Sequence, residues 1–400
     1  MRSAPASATV DGAGAAVPSL GPARTVPASR LGTGWEGPVL LFLTLLLLSF
    51  GVVTLYSASA VRAQMAGLPD YHFVVRQAIG QAVGVLLLVV AARLDYRRLR
   101  RWAWPMLGIV ALLLLLTVFP GTQAIAPVVN GARRWLRLGP LVIQPAEFAK
   151  LALIVWTAAL AVKKQERLSS LSRGLLPFLI IWGAVDLLIF LQPNLSTALL
   201  ALLLAALVVF AAGARIGHFL LLGVVLLPWL WSRVDSVAYQ MRRIVAFLDP
   251  SFDPAGVSYQ INQSLIALGS GGLLGRGFGR GQQKFGFLPE PHNDFIFAMI
   301  GEEWGFLGVA ALVVAYTAFL LVGYRIARQA PDLFGFLLAV GLTNLVVVQA
   351  FLHMAVNLAL VPTTGVTLPF VSYGRSSLLV CMAAVGILVS IARAAEKRAE

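Results

Sequence analysis

Ten long apolar stretches follow one another along this chain, and they constrain its fold more than any other feature of the sequence. About 20 consecutive apolar residues are needed to cross the hydrocarbon core of a bilayer as a helix. Because lipid offers no partner to backbone polar groups, each stretch is expected to be an α-helix with internal hydrogen bonds. The sequence therefore predicts an all-α polytopic membrane protein of about ten transmembrane helices, at 37–57, 73–92, 103–119, 145–162, 174–191, 195–212, 216–232, 295–323, 332–354 and 370–393.

The composition agrees with a bilayer as the solvent of this chain. Of its 400 residues, 59% are hydrophobic and only 12% are charged. A soluble domain of this size has more charged surface with which to cover its apolar core, so that class of protein is excluded. Cys381 is the only cysteine, which excludes a disulfide within the chain.

The basic residues lie in short blocks between the apolar stretches. The formal net charge of +14 would suit nucleic-acid binding if the charge were gathered on one surface. Here the pattern follows the positive-inside rule, under which Lys and Arg concentrate in cytoplasmic loops. Placing both termini in the cytoplasm puts 93–101, 163–173, 212–217, 324–329 and 393–400 on that side. No nucleic acid is expected as a partner.

The chain divides into a membrane domain and two tails. Residues 1–35 are rich in Ala, Pro, Gly and Ser without a hydrophobic period, which predicts a disordered cytoplasmic tail. Residues 36–395 hold the ten helices, and 396–400 form a short cytoplasmic tail. The predicted extracytoplasmic segments are 120–144, the large loop 234–293 between helices 7 and 8, and 356–377. The first two are basic on the outer side, which makes them candidates for binding an anionic substrate or lipid headgroups.

The stretch FGFLPEPHNDFIFAMIGEE (285–303) gathers carboxylates at the outer end of a predicted helix. Asp294 allows two interpretations: a cap for the first helical turn, or an ionised carboxylate that accepts a proton from a hydroxyl nucleophile. Glu302 and Glu303 lie deeper along the same helix. They are interpreted either as structural partners of a buried cation or as functional groups, because carboxylates inside a membrane are costly.

The segment ARRWLRLGPLVIQ (132–144) carries a second group of candidates. Arg133, Arg134 and Arg137 have the planar, forked donors that clamp phosphate oxygens, and Trp135 can stack on a sugar. An anchor of Arg and Trp at the membrane interface explains the same pattern, so both interpretations stand.

Further polar side chains follow in the next predicted helix. Glu147 and Lys150 are three residues apart on one helical face, so they can form an ion pair. Inside a membrane, such a pair is interpreted as a structural ion pair in preference to a catalytic one. The four histidines show no metal-ligand spacing.

The large outer loop contains an amphipathic piece and a glycine-rich piece. Val257, Ile261, Leu265 and Leu268 recur at helical spacing, which predicts a helix lying on the membrane surface. The glycine-rich segment GSGGLLGRGFGRGQQK (269–284) has no preceding strand and no following GK[ST], so a nucleotide-binding loop is rejected. It is interpreted as a flexible cationic segment or a solvated basic loop. Its cations are Arg276, Arg280 and Lys284.

Seven ordered motifs resemble the SEDS family (shape, elongation, division and sporulation), the FtsW and RodA type of integral membrane protein. They are YSAS (56–59), GARRWL (131–136), QPAEFAK (144–150), QPNLSTALL (192–200), SLIALGSGGLLGRGFG (264–279), FLPEPHNDFIFAMIGEEWGFLG (287–308) and PTTGVTLPFVSYGRSSLL (362–379). The resemblance covers residues 38 to 395. YSAS, FGFLPEPH and the short C-terminal tail look more like the FtsW type than the RodA type.

The resemblance implies an inverting peptidoglycan glycosyltransferase that polymerises lipid II outside the bacterial cytoplasmic (inner) membrane, with a septal role in cell division. Lipid II is the undecaprenyl-pyrophosphate disaccharide-pentapeptide. The expected partners are a class B penicillin-binding protein, which is a transpeptidase, and other divisome or elongasome membrane proteins. No cofactor is assigned, and a divalent cation at the pyrophosphate remains an open alternative.

The family's essential outer-loop aspartate falls on Asp294, the candidate catalytic residue, and its Glu–Lys pair falls on Glu147 and Lys150. The candidate substrate-binding residues are Arg133, Arg134, Trp135, Glu147, Lys150, Arg242, Arg243, Arg276, Lys284, Glu290, His292, Ser372 and Arg375. No metal-ligating residues are assigned.

The chain departs from the family's wording at four positions. Asn194 and Ser196 stand where QPDLGT has Asp and Gly, Asn293 replaces a Thr, and Arg375 replaces the second Gly of SYGGSS. A mechanism that needs a carboxylate at 194 is weakened, and Arg375 adds an outer cation. Two rival functions stay open: a lipid II flippase or other transporter of lipid-linked oligosaccharides, and a non-catalytic divisome scaffold. Polar residues on mainly one side favour an enzyme over a transporter.

Overall fold

The structure of the protein, a computed structural model, describes residues 34–129, 131–139, 141–168, 170–224, 238–249, 253, 256 and 258–399. These residues form mainly helices. Their bounds are α1 Glu36–Met65, α2 His72–Arg93, α3 Arg98–Val118, α4 Pro145–Lys163, α5 Leu176–Phe190, α6 Leu195–Ala211, α7 216–224, α8 Ala238–Leu248, α9 Tyr259–Ser270, α10 Ile296–Gln329, α11 Leu333–Asn357 and α12 Arg375–Ala399. One antiparallel hairpin joins β1 Leu136–Leu138 to β2 Leu141–Ile143, with Leu136 opposite Ile143.

Each predicted apolar stretch coincides with a helix. Within the described ranges, eight helices are long and apolar enough to span a membrane, when α5 is counted together with the π-helical turn Leu171–Leu175 that precedes it. α6 is an apolar helix of 17 residues. α7 occupies the start of the predicted span 216–232, whose remainder lies outside the described residues. The prediction of an all-α polytopic membrane protein is confirmed.

The predicted tails are only partly covered by the structure. Residues 1–33 of the predicted disordered tail lie outside the described residues. At the other terminus α12 continues past 395 to Ala399, so the helix does not end where the short tail was predicted to begin.

Helices α4, α11 and α12 form the centre of the bundle. In the most apolar part of α11 and of α12, 83% of the residues are buried inside the protein, and in α4 the share is 72%. The corresponding shares are 22% in α2 and 28% in α3, whose outer faces carry exposed side chains such as Leu86 and Leu112. Large exposed apolar faces of this kind are expected where the surroundings are lipid. α2 and α3 therefore belong to the lipid-facing periphery.

Contacts between helix termini define two opposite ends of the bundle. At one end Arg325 in α10 lies 2.7 Å from Glu36 at the start of α1, and Tyr96 after α2 donates to Asp332 before α11 at 2.7 Å. We call this the basic end, because the arginine-rich start of α3, residues 97–101, lies there, and the positive-inside rule predicts it to be cytoplasmic. The opposite end, the loop end, holds the segments 66–71, 119–129, 131–139, 141–144, 271–295 and 358–374.

Helix α10 is interrupted near its start. Gly305 has φ 65° and ψ −162°, which is not helical, and it separates a short buried segment, 296–304, from the long helix 306–329. Glycine adopts such a conformation without the steric penalty that a Cβ brings. The predicted span over 295–323 is present within Ile296–Gln329, and this break is a feature that the apolar pattern did not indicate.

The glycine-rich segment closes this break. Arg276 N donates to Glu302 O at 2.9 Å, and Gly277 N donates to Glu303 O at 3.1 Å. A Cβ at Gly275 would lie 2.2 Å from the carbonyl oxygen of Glu303, so only a glycine allows this approach. The backbone of the segment is therefore hydrogen-bonded to α10, while most of its side chains, including those of Arg276 and Arg280, are exposed.

Helix α9 lies beside the short segment of α10. Its buried face comprises Ile261, Ser264 and Ala267, whereas Leu265 is 39% exposed. Ser264 is turned inward because its hydroxyl donates to Asn357 O at 2.8 Å. The helix itself is confirmed, but its predicted apolar face is wrong in part. Val257, the first residue of that face, lies outside the described residues.

Replacing Gly305 with alanine is expected to destabilise the protein strongly. A backbone with φ 65° and ψ −162° is essentially restricted to glycine and costs another residue about 1–3 kcal/mol, and the new Cβ would lie 2.2 Å from Gly275 N. The free energy of unfolding, measured for the purified protein in detergent, should fall by about 2 kcal/mol or more.

The matched control is Gly183→Ala in α5. A Cβ at Gly183 meets nothing within 4 Å, and alanine is the better helix former, so this variant should keep or slightly raise the stability. Equal stabilities of the two variants would contradict the role of Gly305.

Candidate active site at the loop end

Asp294 lies immediately before α10, at the loop end. The N-cap residue of α10 is Phe295, and no side chain caps the helix, so the interpretation of Asp294 as a helix cap is wrong. Within the described residues no group donates a hydrogen bond to its carboxylate. A Cβ at Gly365 would lie 3.9 Å from Asp294 Oδ2, so the carboxylate faces a residue without a side chain. Such a carboxylate is available to accept a proton.

Asn357, at the end of α11, holds the backbone between Asp294 and Ala298. Its Nδ2 donates to Asp294 O at 3.1 Å and to His353 O at 2.8 Å, and its Oδ1 accepts from Ala298 N at 3.1 Å. The residue is fully buried, and its own carbonyl oxygen accepts the hydrogen bond from α9. The side chain and the backbone carbonyl of Asn357 together join α9, α10 and α11 beneath Asp294.

The segment before Asp294 is also attached to the segment 358–374. Ser372 Oγ donates to Asn293 O at 2.8 Å and accepts from Leu368 N at 2.8 Å. Tyr373 N donates to His292 O at 3.0 Å. Ser372 was predicted to bind substrate; the structure places its hydroxyl in this backbone contact, where it is buried.

The charge of Asp294 depends on its surroundings. Burial raises the pKa of Asp294 to about 7, and the negative charge of Glu290 raises it further, whereas the positive charges of Arg243 and Arg134 oppose the rise. A carboxylate that titrates near neutral pH is better suited to general base catalysis than one that is always ionised.

Arg134 and Arg243 reach the neighbourhood of Asp294 from distant parts of the chain. Arg134 precedes β1 and donates through Nε to Gln192 O at 3.1 Å and through a second nitrogen to Pro193 O. Arg243 lies in α8 and donates to Thr363 O at 3.1 Å. Two of the predicted substrate-binding cations are thus brought to the predicted catalytic carboxylate.

Glu290 and His292 precede Asp294 in the segment that leads into α10. Arg62, in the last turn of α1, contacts a carboxylate oxygen of Glu290 at 2.6 Å, and Asn293 Nδ2 donates to its other oxygen at 2.8 Å. His292 is 2% exposed and packs against the ring of Phe73 at 4.6 Å. Burial and the charge of Arg62 lower the pKa of His292 to about 4, so its ring is neutral at pH 7.

Lys284 lies in a buried ion pair away from Asp294. Its Nζ is 2.9 Å from Glu303 Oε1, donates to Ser57 Oγ at 2.9 Å and donates to Gly279 O at 2.7 Å. The substrate-binding role of Lys284 stays a prediction, but its donors are directed into the protein. The structural interpretation of Glu303 is the one that these contacts support.

Glu302 and Arg276 complete the same region. The carboxylate of Glu302 accepts from Gln282 N at 2.7 Å and from Gln283 N at 3.2 Å. Arg276 lies 3.9 Å from Glu302 and donates to Ser270 O at 3.3 Å. These groups hold the glycine-rich segment on α10.

The other residues predicted to bind substrate in the loops, Arg133, Trp135, Arg242 and Arg375, differ in their placement. Arg133 uses its guanidinium within its own loop, where it donates to Ala126 O, Phe119 O and Thr122 Oγ1, each at 3.0 Å. Trp135 and Arg375 are half-buried, and Arg242 is exposed in α8. Arg375 lies against α2, where a Cβ at Gly80 would be 3.3 Å from its Cγ.

The predicted Glu147–Lys150 pair is present and buried beneath the segment 358–374. Lys150 Nζ is 2.9 Å from Glu147 Oε2 and donates to Gln349 Oε1 at 2.8 Å. Gln349 in turn donates to Thr367 O at 3.1 Å and to Ser377 Oγ at 2.8 Å. Lys150 is 1% exposed, so the contacts support the structural interpretation of the pair.

Sequence reasoning missed Asn357 and Gln349, which hold the site from below. The available signal was an amide side chain inside or at the end of an apolar helix, because a buried amide must be hydrogen-bonded. For the metal question, the described residues contain no cluster of three or more His, Cys, Asp or Glu side chains that could hold an ion.

The fold and the site together define a class of protein. A bundle of membrane-spanning helices carries, at one end, a carboxylate that titrates near neutral pH and two arginines attached to separate loops. This arrangement is typical of a membrane protein that binds a polar or anionic group at the membrane surface.

Sequence comparison places the chain in a family. The profile of the FtsW/RodA/SpoVE family, described as "Cell cycle protein", matches residues 38–397, and the chain belongs to that family. It is 41% identical to "Stage V sporulation protein E" of Bacillus subtilis (strain 168) over 355 residues, which is 89% of this chain and 96% of that protein. It is 43% identical over 353 residues to "Probable peptidoglycan glycosyltransferase FtsW" of Trichlorobacter lovleyi, covering 88% and 92% of the two chains.

Solved structures give the same relationship. A chain of the structure described as "Structural coordination of polymerization and crosslinking by a peptidoglycan synthase complex" matches with a TM-score of 0.72 and 31% identity, covering 89% of this chain and 97% of that one. The rod shape determining protein RodA of Thermus thermophilus matches with a TM-score of 0.63 and 30% identity, covering 90% and 96%. The predicted family is confirmed.

Replacing Lys284 with methionine is expected to lower the stability of the protein. Removal of one partner of a buried ion pair typically costs about 3–5 kcal/mol, because the other charge is left uncompensated. The double variant Lys284→Met/Glu303→Gln should lose clearly less than the sum of the two single losses, as measured by unfolding in detergent.

Arg276→Gln is the comparison variant for this test. The Arg276 side chain is 34% exposed and lies 3.9 Å from Glu302, so its loss should cost less than about 1 kcal/mol. A stable Lys284→Met protein would show that Lys284 is free for substrate instead.

Proposed function

We propose that this protein is a peptidoglycan glycosyltransferase that polymerises lipid II, with Asp294 as its general base. The family membership and the names of the relatives support the reaction class. The single observation that carries the residue assignment is the carboxylate of Asp294. It receives no hydrogen bond within the described residues, has a pKa raised to about 7 and faces Gly365.

Asp294 takes the proton from the 4-hydroxyl of the acceptor sugar while that oxygen attacks the anomeric carbon of the donor. The bond from that carbon to the pyrophosphate oxygen breaks, and the pyrophosphate leaves with the electron pair. An α-linked donor then gives a β-linked polymer in one inverting displacement. A second carboxylic acid is not needed, unlike in glycoside hydrolysis, because pyrophosphate leaves without being protonated.

Arg134 and Arg243 are the cations that we assign to the pyrophosphate. Both lie close enough to lower the pKa of Asp294 by their charge. Each is attached to a carbonyl oxygen of a neighbouring loop, which orients its guanidinium before the substrate arrives. Fixed positive charge near a leaving group stabilises the negative charge that develops on it.

The wider setting follows from the same family. The proposed location is the bacterial inner membrane, with the loop end outside, where lipid II is polymerised. A class B penicillin-binding protein is the proposed partner, with other division proteins around it, in keeping with the relatives named FtsW. A divalent cation, where one takes part, would be held by the pyrophosphate oxygens, and no residue is assigned to it.

Replacing Asp294 with asparagine is expected to abolish polymer formation. The purified protein and its penicillin-binding partner are placed in liposomes with labelled lipid II, and glycan strands are measured. General base catalysis contributes about 10²–10⁴ in rate, so the variant should retain at most a percent of the activity. Asp70→Asn is the matched control, because Asp70 lies at the loop end and bonds only Tyr56 within the described residues.

Two outcomes of this experiment, and one outcome of a growth test in cells, would contradict the proposal. Unchanged polymerisation by Asp294→Asn would remove the base assignment. Movement of labelled lipid II across the bilayer without polymer would favour a flippase. Normal growth of cells that carry only Asp294→Asn would favour a scaffold.

The rate of polymerisation at saturating lipid II is expected to depend on pH. Only the deprotonated form of Asp294 accepts a proton, so with a pKa of about 7 the rate should rise through neutral pH and level off above it. The negative charge of Glu290 raises this pKa and the positive charge of Arg243 lowers it. Glu290→Gln should therefore move the midpoint to lower pH, and Arg243→Gln should move it to higher pH. A midpoint that neither variant moves would contradict the base assignment.

A further inference from the structure

A cavity lies at the basic end, on the side of the bundle opposite to Asp294. It has a volume of about 590 Å³ and opens between the start of α3, the end of α4 and the turn from α10 to α11. Its lining residues are Arg97, Arg100, Arg101, Val162, Asp332, Leu333 and Phe334. The proposed polymerisation reaction makes no use of it.

The charges in this cavity are not balanced. Arg97 lies 3.0 Å from the carboxylate of Asp332, which also accepts from Tyr96 Oη at 2.7 Å and from Gly335 N at 2.8 Å. Burial alone would raise the pKa of Asp332, but the hydrogen bonds from Tyr96, Gly335 and Arg97 hold it below its usual value. Asp332 is therefore ionised, and its lone pairs are occupied by groups of the protein itself.

Arg100 and Arg101 have no such partner. Among the described residues, no carboxylate lies within ion-pair distance of either guanidinium. Three arginines and one ionised aspartate leave the cavity with an excess of two positive charges. Two unpaired guanidinium groups lining one concave space match the two unesterified oxygens of a phosphodiester.

The position of the cavity relative to the membrane is indicated by its neighbours. Trp102 and Trp104 directly follow the arginines in α3 and are 59% and 60% exposed. Exposed tryptophans next to arginines are typical of the level at which lipid headgroups lie. Val162, Leu333 and Phe334 supply an apolar wall beside the arginines. A soluble phosphate ion makes no use of such a wall, whereas the glycerol and upper acyl chain of a lipid do.

We propose that this cavity binds the phosphodiester headgroup of an anionic phospholipid. Arg100 and Arg101 contact the phosphate oxygens, and Arg97 is held by Asp332 as part of the rim. Basic pockets between membrane helices on the cytoplasmic side are suited to acidic lipid headgroups. The site is independent of the polymerisation reaction, so it is tested by binding and not by activity.

The test is native mass spectrometry of the full-length protein in detergent. It is titrated with phosphatidylglycerol or with phosphatidylcholine of the same acyl chains. Wild type should bind phosphatidylglycerol more tightly, and Arg100→Gln/Arg101→Gln should lose roughly tenfold or more of that affinity, because each arginine near a headgroup contributes about 1 kcal/mol. The matched control is Arg167→Gln/Arg328→Gln, which removes the same charge from two exposed residues of the basic end that do not line the cavity.

A second variant fills the cavity without changing its charge. Val162→Phe places a larger side chain on the wall of the cavity and should weaken phosphatidylglycerol binding while all arginines remain. Arg100→Lys/Arg101→Lys keeps the charge and tests whether the forked donors matter; its binding should fall between wild type and the glutamine variant. Unfolding temperatures of all variants establish that each is folded.

Each opposite outcome would overturn the proposal. Equal losses in the two glutamine double variants would mean a general attraction of anionic lipid to the basic end. Equal binding of both lipids by wild type would mean that no headgroup site exists. Displacement of the lipid by millimolar inorganic phosphate would mean that the cavity takes a soluble anion. Undiminished binding in Val162→Phe would place the lipid elsewhere.

Discussion

Backbone groups inside a bilayer have no water to bind, so a helix can break there only where the protein itself supplies the missing partners. The break at Gly305 frees the carbonyl groups of Glu302 and Glu303, and the amides of the glycine-rich segment occupy them. The two carboxylates act in the reverse direction and accept hydrogen bonds from amides at 279–283. The short segment 296–304 is thereby fixed as a separate element, and its position determines where Asp294 lies.

The candidate site is assembled from segments that are far apart in the chain. Arg134 comes from the segment before β1, Arg243 from α8 and Gly365 from the segment between α11 and α12, while Asn357 fixes the backbone beneath Asp294. The charges on these segments act in opposite directions on the same carboxylate. Positive charge alone would keep Asp294 permanently ionised and make it a weak base, whereas burial and Glu290 bring its pKa near neutrality.

The helices and the catalytic candidate could be predicted from the sequence because both have local signatures. A stretch of apolar residues long enough to span a membrane has few alternatives to a helix. A carboxylate near the end of such a helix costs free energy, because it lies close to lipid, and this cost indicates a functional role. The packing of the glycine-rich segment could not be predicted, because a solvated loop and a backbone packed against a helix have the same composition. For the same reason Lys284 was grouped with the substrate cations, whereas its partners are Glu303 and Ser57. Hydrogen bonds between residues hundreds of positions apart leave no trace in local spacing.

Gly365 illustrates a different kind of restriction from that at Gly305. Its backbone does not have the left-handed geometry that singles out glycine, so alanine would be tolerated by the chain itself. The added methyl group would stand 3.9 Å from Oδ2 of Asp294, which is an ordinary van der Waals contact. Under the proposed assignment of Asp294 as the general base, a side chain larger than alanine at 365 would therefore restrict the approach of a hydroxyl group to this carboxylate without changing the fold.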